Sequence, residues 1–536
     1  MGSKEFKGSE EKKGAYTIPV LAVVNLVLAG VALIKDMVLA SFMGTTSSAD
    51  AFMLAFYIPD IIGNTLLAAS VGIACIPVFT NASIKEEKRQ SSLGETQTNL
   101  SQTVANIFHT VLWGCLILVV LFLVFRDKII YLLGSGLEDS MRKTAERLFT
   151  VMLPVVVLYS LVTVGSSVCH VKKRFLFPSL APVVFNLTYL LGILCSKQFL
   201  NTEKALYGIA FSVSVGVVFM MVVVWSDVLK NKLVKPKVPF VADLESVRSF
   251  MTTLLPYLLI IMIYQSVGYI ERSIASVIGT GNISGLNYAY RTSQLPVWVF
   301  AAAIGTVSFP TVTRLAEESK EAFKASVTRY IRSIFLIVLP LSVIINILRE
   351  SIVSILFSRG NFDSLSVGIT TEILAGYSLA ILGQSLFLVG LRFFIVVKNL
   401  KVPFFIVLFS TVVNIATDLL LKDSFGVAAL GYGAAVGGFC NGLLMIVLLD
   451  KKIGLGLKKE WKHLVKIIVA CVSTGVMAFL FRSVWNNGVS DGIWMKKLVY
   501  VAVVIFACVI AYLIPLYILG LNNLWSDKKG QFTNMR

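Results

Sequence analysis

The feature that most constrains this chain is a series of about fourteen apolar segments, each near the roughly 20 residues that a helix needs to cross a bilayer. Lipid cannot hydrogen-bond a backbone, so only helices or closed barrels cross it. The segments lack the alternation of barrel strands. Of the 536 residues, 56% are hydrophobic and 15% charged, whereas soluble domains are about 25% charged. The sequence therefore predicts an all-α, polytopic membrane protein with about fourteen transmembrane helices.

The distribution of basic residues predicts the orientation of these segments. Lysine and arginine collect in the loops after even-numbered segments, for example at 85–89, 172–174 and 230–237. Short loops of this kind lie in the cytoplasm, so we expect both termini there. The net charge of +18 then reflects topology and attraction to anionic phospholipids. It does not indicate binding of nucleic acid.

Two stretches, 34–59 and 264–296, resemble one another. Each contains a charged pair, an Ala-Ser, a Gly-Thr and a proline in the same order. The charged pairs are Lys35-Asp36 and Glu271-Arg272. Internal duplication of this kind is common in secondary transporters, and repeats of six spans insert the same way up. The sequence therefore predicts two pseudo-symmetric six-helix lobes around a central cavity.

The predicted domains follow from this duplication and the spacing of the spans. They are a cytoplasmic tail at 1–15, an N-lobe at 16–230, a cytoplasmic linker at 231–246, a C-lobe at 247–450, two extra helices at 451–520 and a cytoplasmic tail at 521–536. Pro59 and Pro296 interrupt the second and eighth spans. Irregular backbone at membrane depth needs cover from protein or water, which predicts bends that line the cavity.

Charged side chains within the spans are candidates for a binding site. A charge at membrane depth costs roughly 2.5–3.5 kcal/mol, so it faces a bundle interior or a wet cavity. We assign the following residues to the cavity: Lys35, Asp36, Asp50, Glu271, Arg272 and Arg291. Their surplus of positive charge suits an anionic head group. Two alternatives stay open: each base neutralises a neighbouring acid, and Asp50 begins a helix at the membrane rim.

Asn414 and Asp418 in the eleventh span are candidates for coupling transport to a cation. Their i, i+4 spacing places both on one helix face. Amide and carboxylate oxygens suit Na⁺, and Asp418 could instead take a proton. The alternative is a rim position near Lys422. Glu372 and Arg392 in the tenth span raise the same question.

No enzyme motif is present in the sequence, and no P-loop provides a nucleotide-driven step. The seven cysteines form no CxxC pattern, which argues against a zinc site or a disulfide framework. We therefore expect a transporter without a cofactor or metal centre. It would be driven by membrane potential, Na⁺ or H⁺.

Several motifs resemble those of the MurJ (MviN) lipid II flippases. They are DAFMLAFYIP at 50–59, KRFLFPSLAPVVFN at 173–186, LFSRGNFD at 356–363 and RFFIVVKNLKVP at 392–403. The family belongs to the multidrug/oligosaccharidyl-lipid/polysaccharide exporter superfamily. The resemblance implies alternating access between two six-helix lobes, and two C-terminal helices that form a lipid groove.

The chain departs from the family pattern at several positions. Gly63-Asn64 and Ala68-Ala69 stand where the family usually carries Arg-Arg and Glu-Gly, and Ala29 replaces an arginine. Arg291 is retained, while Gln294 replaces a glutamate. The resemblance adds Asn64 and Gln294 to the cavity residues, in a cavity with fewer cations in its N-lobe.

The resemblance implies a flippase of the bacterial inner membrane that moves lipid II, an undecaprenyl-pyrophosphate-linked peptidoglycan precursor, to the outer leaflet. Such an activity serves cell-wall biogenesis and cell shape, with the wall-synthesis machinery as a further expected partner. The alternatives are a flippase for another polyprenyl-linked glycan and a cation-coupled multidrug exporter of the same superfamily. A scaffold that recruits wall-synthesis enzymes without transport is a third.

Overall fold

The computed structural model describes residues 2–93, 99–199, 202–235, 244–457, 460–484 and 494–520. These residues form helices and contain no β-strand, which confirms the all-α prediction. The chain divides into two compact units, Met1–Gln265 and Ser266–Arg536. The predicted tail at 521–536 and residues 236–243 of the predicted linker lie outside the described residues.

The first unit contains nine complete helices in its described part. They are α1 (Gly2–Met43), α2 (Ser47–Asp60), α3 (Ala68–Leu93), α4 (Asn99–Val124), α5 (Arg126–Leu133), α6 (Asp139–Met152), α7 (Pro154–Val171), α8 (Leu176–Phe199) and α9 (Thr202–Lys230). Helix α1 includes residues 2–15, so most of the predicted tail at 1–15 is helical. The division between the units falls within α10 (Leu244–Ile278).

The second unit contains nine further helices in its described part. They are α11 (Asn282–Pro296), α12 (Ala302–Glu318), α13 (Lys320–Ile347), α14 (Arg349–Phe357), α15 (Ser364–Val396), α16 (Lys401–Phe425), α17 (Ala428–Ile453), α18 (Trp461–Val484) and α19 (Trp494–Ile518). Thirteen segments of the described chain are long and apolar enough to cross a membrane. The predicted eighth span, 284–313, falls within α11, a π-helical segment and α12.

A π-helical segment follows the interior proline in both halves of the duplication. Pro59 precedes the π-helix Ile61–Leu67, and Pro296 precedes the π-helix Val297–Ala301. Proline cannot donate its backbone hydrogen bond, and π-turns inside α-helices are frequent at functional sites. The two similar stretches of sequence therefore contain the same backbone irregularity. In each, the helix widens into a π-helical segment and does not break.

The motif at 356–363 organises the start of α15. The rings of Phe357 and Phe362 are buried and lie 5.6 Å apart, and each lies 5.3 Å from the ring of Tyr288. Gly360 has φ 58°, a left-handed value suited to glycine. Asp363 accepts hydrogen bonds from the backbone and hydroxyl of Ser366, which lower the pKa of Asp363. This motif therefore sets a tight turn and a helix N-cap.

Three helices end on a lysine in the left-handed conformation. The φ values are 57° at Lys173, 51° at Lys232 and 52° at Lys398. After α7, the Lys173 N–H donates to the His170 carbonyl and the Arg174 N–H to the Cys169 carbonyl. This is a Schellman ending, whose left-handed position is usually taken by glycine.

We expect Lys173→Gly to stabilise the protein by about 1 kcal/mol, because glycine removes the steric cost of the left-handed backbone. Thermal unfolding of the purified full-length protein in detergent would measure the change. Lys172→Gly is the control, because Lys172 has φ −87° and gains nothing from glycine, and it also loses the hydrogen bond that the Lys172 ammonium donates to Ser83 at 3.0 Å. A lower melting temperature for Lys173→Gly than for Lys172→Gly would contradict this account.

Candidate functional site

Lys35 of α1 is buried within the first unit, with 3% of its side chain exposed. Its ammonium lies 2.9 Å from the Asp36 carboxylate and 4.9 Å from the ring centre of Tyr189 on α8. An acid and an aromatic face are both favourable partners for a desolvated cation. The first charged pair of the duplication is therefore an ion pair held against an aromatic ring.

Asp50 and Asn64 differ in their exposure. Asp50 lies in the first turn of α2 and is 1% exposed. The same helix is capped by the Thr46 hydroxyl, which accepts a hydrogen bond from the Ala49 N–H at 3.2 Å. Asn64 is exposed in the first π-helical segment, and its amide lies 3.4 Å from the Asp60 carboxylate. Asp50 thus lies at the start of a helix, as one of the two alternatives predicted. Its side chain, however, is buried.

Glu271 and Arg272 are both buried on α10, each with 3% exposure. The Tyr377 hydroxyl of α15 donates a hydrogen bond to the Glu271 carboxylate. Arg272 donates to the carbonyl of Gly268 on its own helix, at 2.8 Å. The Tyr377 ring also packs edge-on against Tyr290 of α11, with 5.9 Å between ring centres. Tyr377 thus links the second charged pair to α11.

Arg291 and Gln294 both lie on α11. The Arg291 Nε donates to the Asn287 side-chain oxygen at 3.0 Å, and Arg291 is half-buried. Gln294 is buried and donates to the Gln384 amide oxygen of α15 at 2.7 Å. Where the resemblance leads us to expect a glutamate, the chain therefore has a neutral amide pair that joins α11 to α15.

Asp418 of α16 has no exposed surface. Neither of its carboxylate oxygens has a hydrogen-bond partner among the described residues, and the same holds for the side-chain oxygen of Asn414. A Cβ added at Gly433 would lie 1.8 Å from Asp418, and one at Gly437 would lie 2.6 Å from Asn414. These glycines of α17 let its backbone close over both side chains. Asp418 is therefore a buried carboxylate rather than an exposed rim residue.

The buried acids of the second unit interact with one another. Asp418 lies within electrostatic range of both Glu271 and Tyr377. Two carboxylates in a dry environment cannot both remain charged at low cost. The second unit thus brings buried acidic and phenolic side chains of α10, α15 and α16 near one another.

Glu372 and Arg392, the two candidates in the tenth span, lie near opposite ends of α15. Glu372 is exposed on α15, whereas Arg392 is half-buried near the other end of the same helix. A Cβ added at Gly305 of α12 would lie 2.5 Å from the Arg392 guanidinium. Arg392 therefore packs closely against a helix of the eighth span.

Sequence reasoning missed Tyr189, Tyr377 and Gln384, which provide partners for the predicted residues. Each lies in an apolar stretch at long separation, for example 106 residues between Glu271 and Tyr377. Spacing along one helix cannot reveal such a partner. The small residues Gly376 and Ser378 beside Tyr377 were the one available signal, because they indicate close helix packing.

The membrane-crossing helices, buried cations and buried acids define a polytopic membrane transporter. A solved lipid II flippase MurJ in an inward closed conformation has a similar fold, with a TM-score of 0.75, 18% identity and coverage of 93% of this chain and 99% of that one. An inward-facing MATE multidrug transporter of the MOP superfamily matches with a TM-score of 0.64 and 13% identity, over 80% of this chain and 95% of that one.

The sequence comparison identifies the family. The family model for lipid II flippase MurJ matches residues 39–515, and the chain belongs to this family. A lipid II flippase MurJ of Burkholderia cenocepacia is 24% identical over 78% of this chain and 80% of the relative. A probable lipid II flippase MurJ of Buchnera aphidicola is 24% identical over 92% of this chain and 94% of the relative.

Proposed function

We propose that this chain translocates lipid II from the inner to the outer leaflet of the bacterial inner membrane by alternating access. Its activity is transport, with a lipid-linked glycan as substrate. The observation that carries the assignment of the head-group site is the burial of cations in apolar helices of the second unit, namely Arg272 on α10, with Arg291 half-buried on α11. Membership of the MurJ family supports the choice of lipid II.

The chemistry of these side chains suits a pyrophosphate. A guanidinium presents a planar fork to phosphate oxygens, while an ammonium acts as a point charge. Lys35 is already paired with Asp36, so the two arginines would carry most of the contact with the head group. Glu271 and Gln294 of the second unit would contact the sugar or hold these arginines in place. The polyprenyl tail would stay in lipid along α18 and α19.

The membrane potential can bias the direction of this movement. Carrying negative charge outward across an inside-negative membrane is favourable by about 2.3 kcal/mol per charge per 100 mV. A head group of two or more negative charges therefore needs no nucleotide hydrolysis for net outward flipping. The wall-synthesis machinery would consume the product, and the basic loops would hold both termini in the cytoplasm.

The test is a double variant, Arg272→Ala with Arg291→Ala, in proteoliposomes that contain lipid II. We expect the flipping rate to fall at least about tenfold, because charge-assisted hydrogen bonds to the pyrophosphate are lost. The matched control is Arg314→Ala with Lys320→Ala, which removes two cations from an exposed segment. A full flipping rate at normal expression of the double variant would overturn the assignment of the site.

We also propose that Asp418 and Asn414 bind the coupling cation. The support is a fully buried carboxylate whose oxygens lack hydrogen-bond partners in the described chain. A buried charge without a partner is costly, so a cation or proton would occupy this position. The carboxylate and amide oxygens of Asp418 and Asn414 suit Na⁺.

Asp418→Asn should abolish the dependence of flipping on a Na⁺ gradient, because the amide cannot balance the charge of a cation. Flipping rates at several Na⁺ concentrations, at fixed pH and membrane potential, would measure this. Asp423→Asn is the control on the same helix. Retained Na⁺ dependence in Asp418→Asn would contradict the proposal, and dependence on pH alone would assign the site to a proton.

One observation favours a second candidate substrate. Gly63-Asn64 and Ala68-Ala69 stand where the resemblance leads us to expect Arg-Arg and Glu-Gly in the second span. A different polyprenyl-linked glycan could suit a cavity with fewer charges. Native mass spectrometry with lipid II and a second undecaprenyl-pyrophosphate glycan in competition would decide between them.

A further inference from the structure

The second unit contains an apolar slot of about 330 Å³ bounded by α13, α15, α17 and α18. We call it the α13–α18 slot. Its apolar lining includes Phe335, Leu382, Leu386, Phe439, Leu443 and Val447. Phe439 and Leu443 are 45% and 62% exposed, so the slot opens on the outer surface of α17. None of the residues proposed for the head group or the cation lines it.

One end of the α13–α18 slot is polar. The Arg332 guanidinium of α13 forms an ion pair with Glu460, and the His463 ring nitrogen lies 3.3 Å from the same carboxylate. The Arg332 Nε is buried, and none of the described residues accepts a hydrogen bond from it. The slot therefore has an apolar part and, at one end, a cation with an N–H group that donates no hydrogen bond to the described residues.

The polar end lies where α13 enters the apolar layer. Arg332 is the last charged residue of α13, and Ser333 to Ile347 carry no charge. Trp461 begins α18 beside this end and is 57% exposed, as expected for an aromatic side chain at a membrane interface. From Val447 to Phe439, α17 rises by about 12 Å. The slot thus extends from the interface into the hydrocarbon layer.

The charge around the polar end is strongly positive. The described segments 320–332, 450–457 and 460–466 together carry eight lysine and arginine residues and three aspartate and glutamate residues. By the distribution of basic loops, this end faces the cytoplasm, where the leaflet is rich in anionic lipid. A ligand that fits both parts has an apolar chain and an anionic head.

We propose that the α13–α18 slot binds one acyl chain of an anionic phospholipid from the cytoplasmic leaflet, with its phosphate on Arg332 and His463. The phosphate would accept the hydrogen bond from Arg332 Nε and share the guanidinium with Glu460. The chain would cover the exposed faces of Phe439 and Leu443. This site uses none of the residues proposed for the head group or the cation, so its test is separate from the test of lipid II flipping.

Native mass spectrometry of the purified full-length protein with phosphatidylglycerol and phosphatidylethanolamine would test the head-group contact. Arg332→Gln should lower phosphatidylglycerol binding about fivefold, as expected for one basic side chain. Glu460→Gln breaks the same ion pair but keeps the cation, so phosphatidylglycerol binding should be retained or rise. An equal fall in both variants would mean that the pair is only structural, and would overturn the proposal.

A second pair of variants tests the acyl chain and does not depend on the ion pair. Val447→Trp fills the slot and should reduce phosphatidylglycerol binding, whereas Val436→Trp, on an exposed part of α17 outside the slot, should not. Unchanged binding in Val447→Trp would overturn the assignment. Displacement of phosphatidylglycerol by undecaprenyl phosphate, sensitive to Val447→Trp, would also overturn it by assigning the slot to the carrier lipid.

Discussion

Gly383→Ala should strongly destabilise the second unit, although it adds a single methyl group. A Cβ at this position of α15 would lie 2.1 Å from the Gly438 carbonyl oxygen and 2.3 Å from its carbon. The obstacle is the backbone of α17, which cannot rotate away as a side chain would. We expect a loss of about 3 kcal/mol or more in the free energy of unfolding.

The prediction has a matched control on the same helix. A Cβ at Gly368 of α15 meets nothing within 4 Å, so Gly368→Ala should stabilise the helix by up to about 1 kcal/mol. Fluorescence-detected size-exclusion chromatography and thermal unfolding would measure both variants. Equal behaviour of the two would show that the close approach of α15 and α17 is not needed for folding.

Arg174→Ala should destabilise the first unit by about 2–3 kcal/mol, because it removes two charge-assisted hydrogen bonds from the buried Asp227 carboxylate, although Arg174 itself is 39% exposed. Asp227 of α9 is 2% exposed, and its carboxylate accepts two hydrogen bonds from Arg174, at 2.8 and 2.6 Å. The Asn231 amide donates a third, at 2.8 Å. The pair joins the end of α7 to the end of α9.

The double variant Arg174→Ala with Asp227→Asn should recover much of this loss, because the buried charge disappears. Arg314→Ala provides the control for an exposed pair: Arg314 and Glu318 are 65% and 57% exposed and 3.8 Å apart, so we expect a change below about 1 kcal/mol. Thermal unfolding in detergent measures all three. Failure of the double variant to recover stability would mean that Arg174 acts mainly through packing.

These two predictions show where sequence reasoning succeeded and where it stopped. Apolar length predicted the helices, since crossing a bilayer demands it, and the adjacent Lys35 and Asp36 do form an ion pair. The motif that contains Arg174 was found, but its partner 53 residues away was not. Partners on different helices are fixed by packing, which one-dimensional spacing does not contain.

Asp418 illustrates the same limit at the candidate site. The i, i+4 spacing correctly places Asn414 and Asp418 on one face of α16. Their depth depends on Gly433 and Gly437, whose missing side chains let α17 cover them. A pattern read along α16 alone therefore could not distinguish a rim position from a buried one.

The two π-helical segments have a consequence for how insertions and deletions would act on this chain. Each segment accommodates surplus residues within a continuous helix, so removing one residue from 61–67 or 297–301 could restore ordinary α-helical winding without opening a gap. Because the wide turn already contains the surplus residue, the side chains beyond it would keep nearly the same direction, whereas a deletion in a regular part of the helix would turn them by about 100°. A single deletion within either π-helical segment would thus reorient the rest of the span far less than the same deletion one or two turns away.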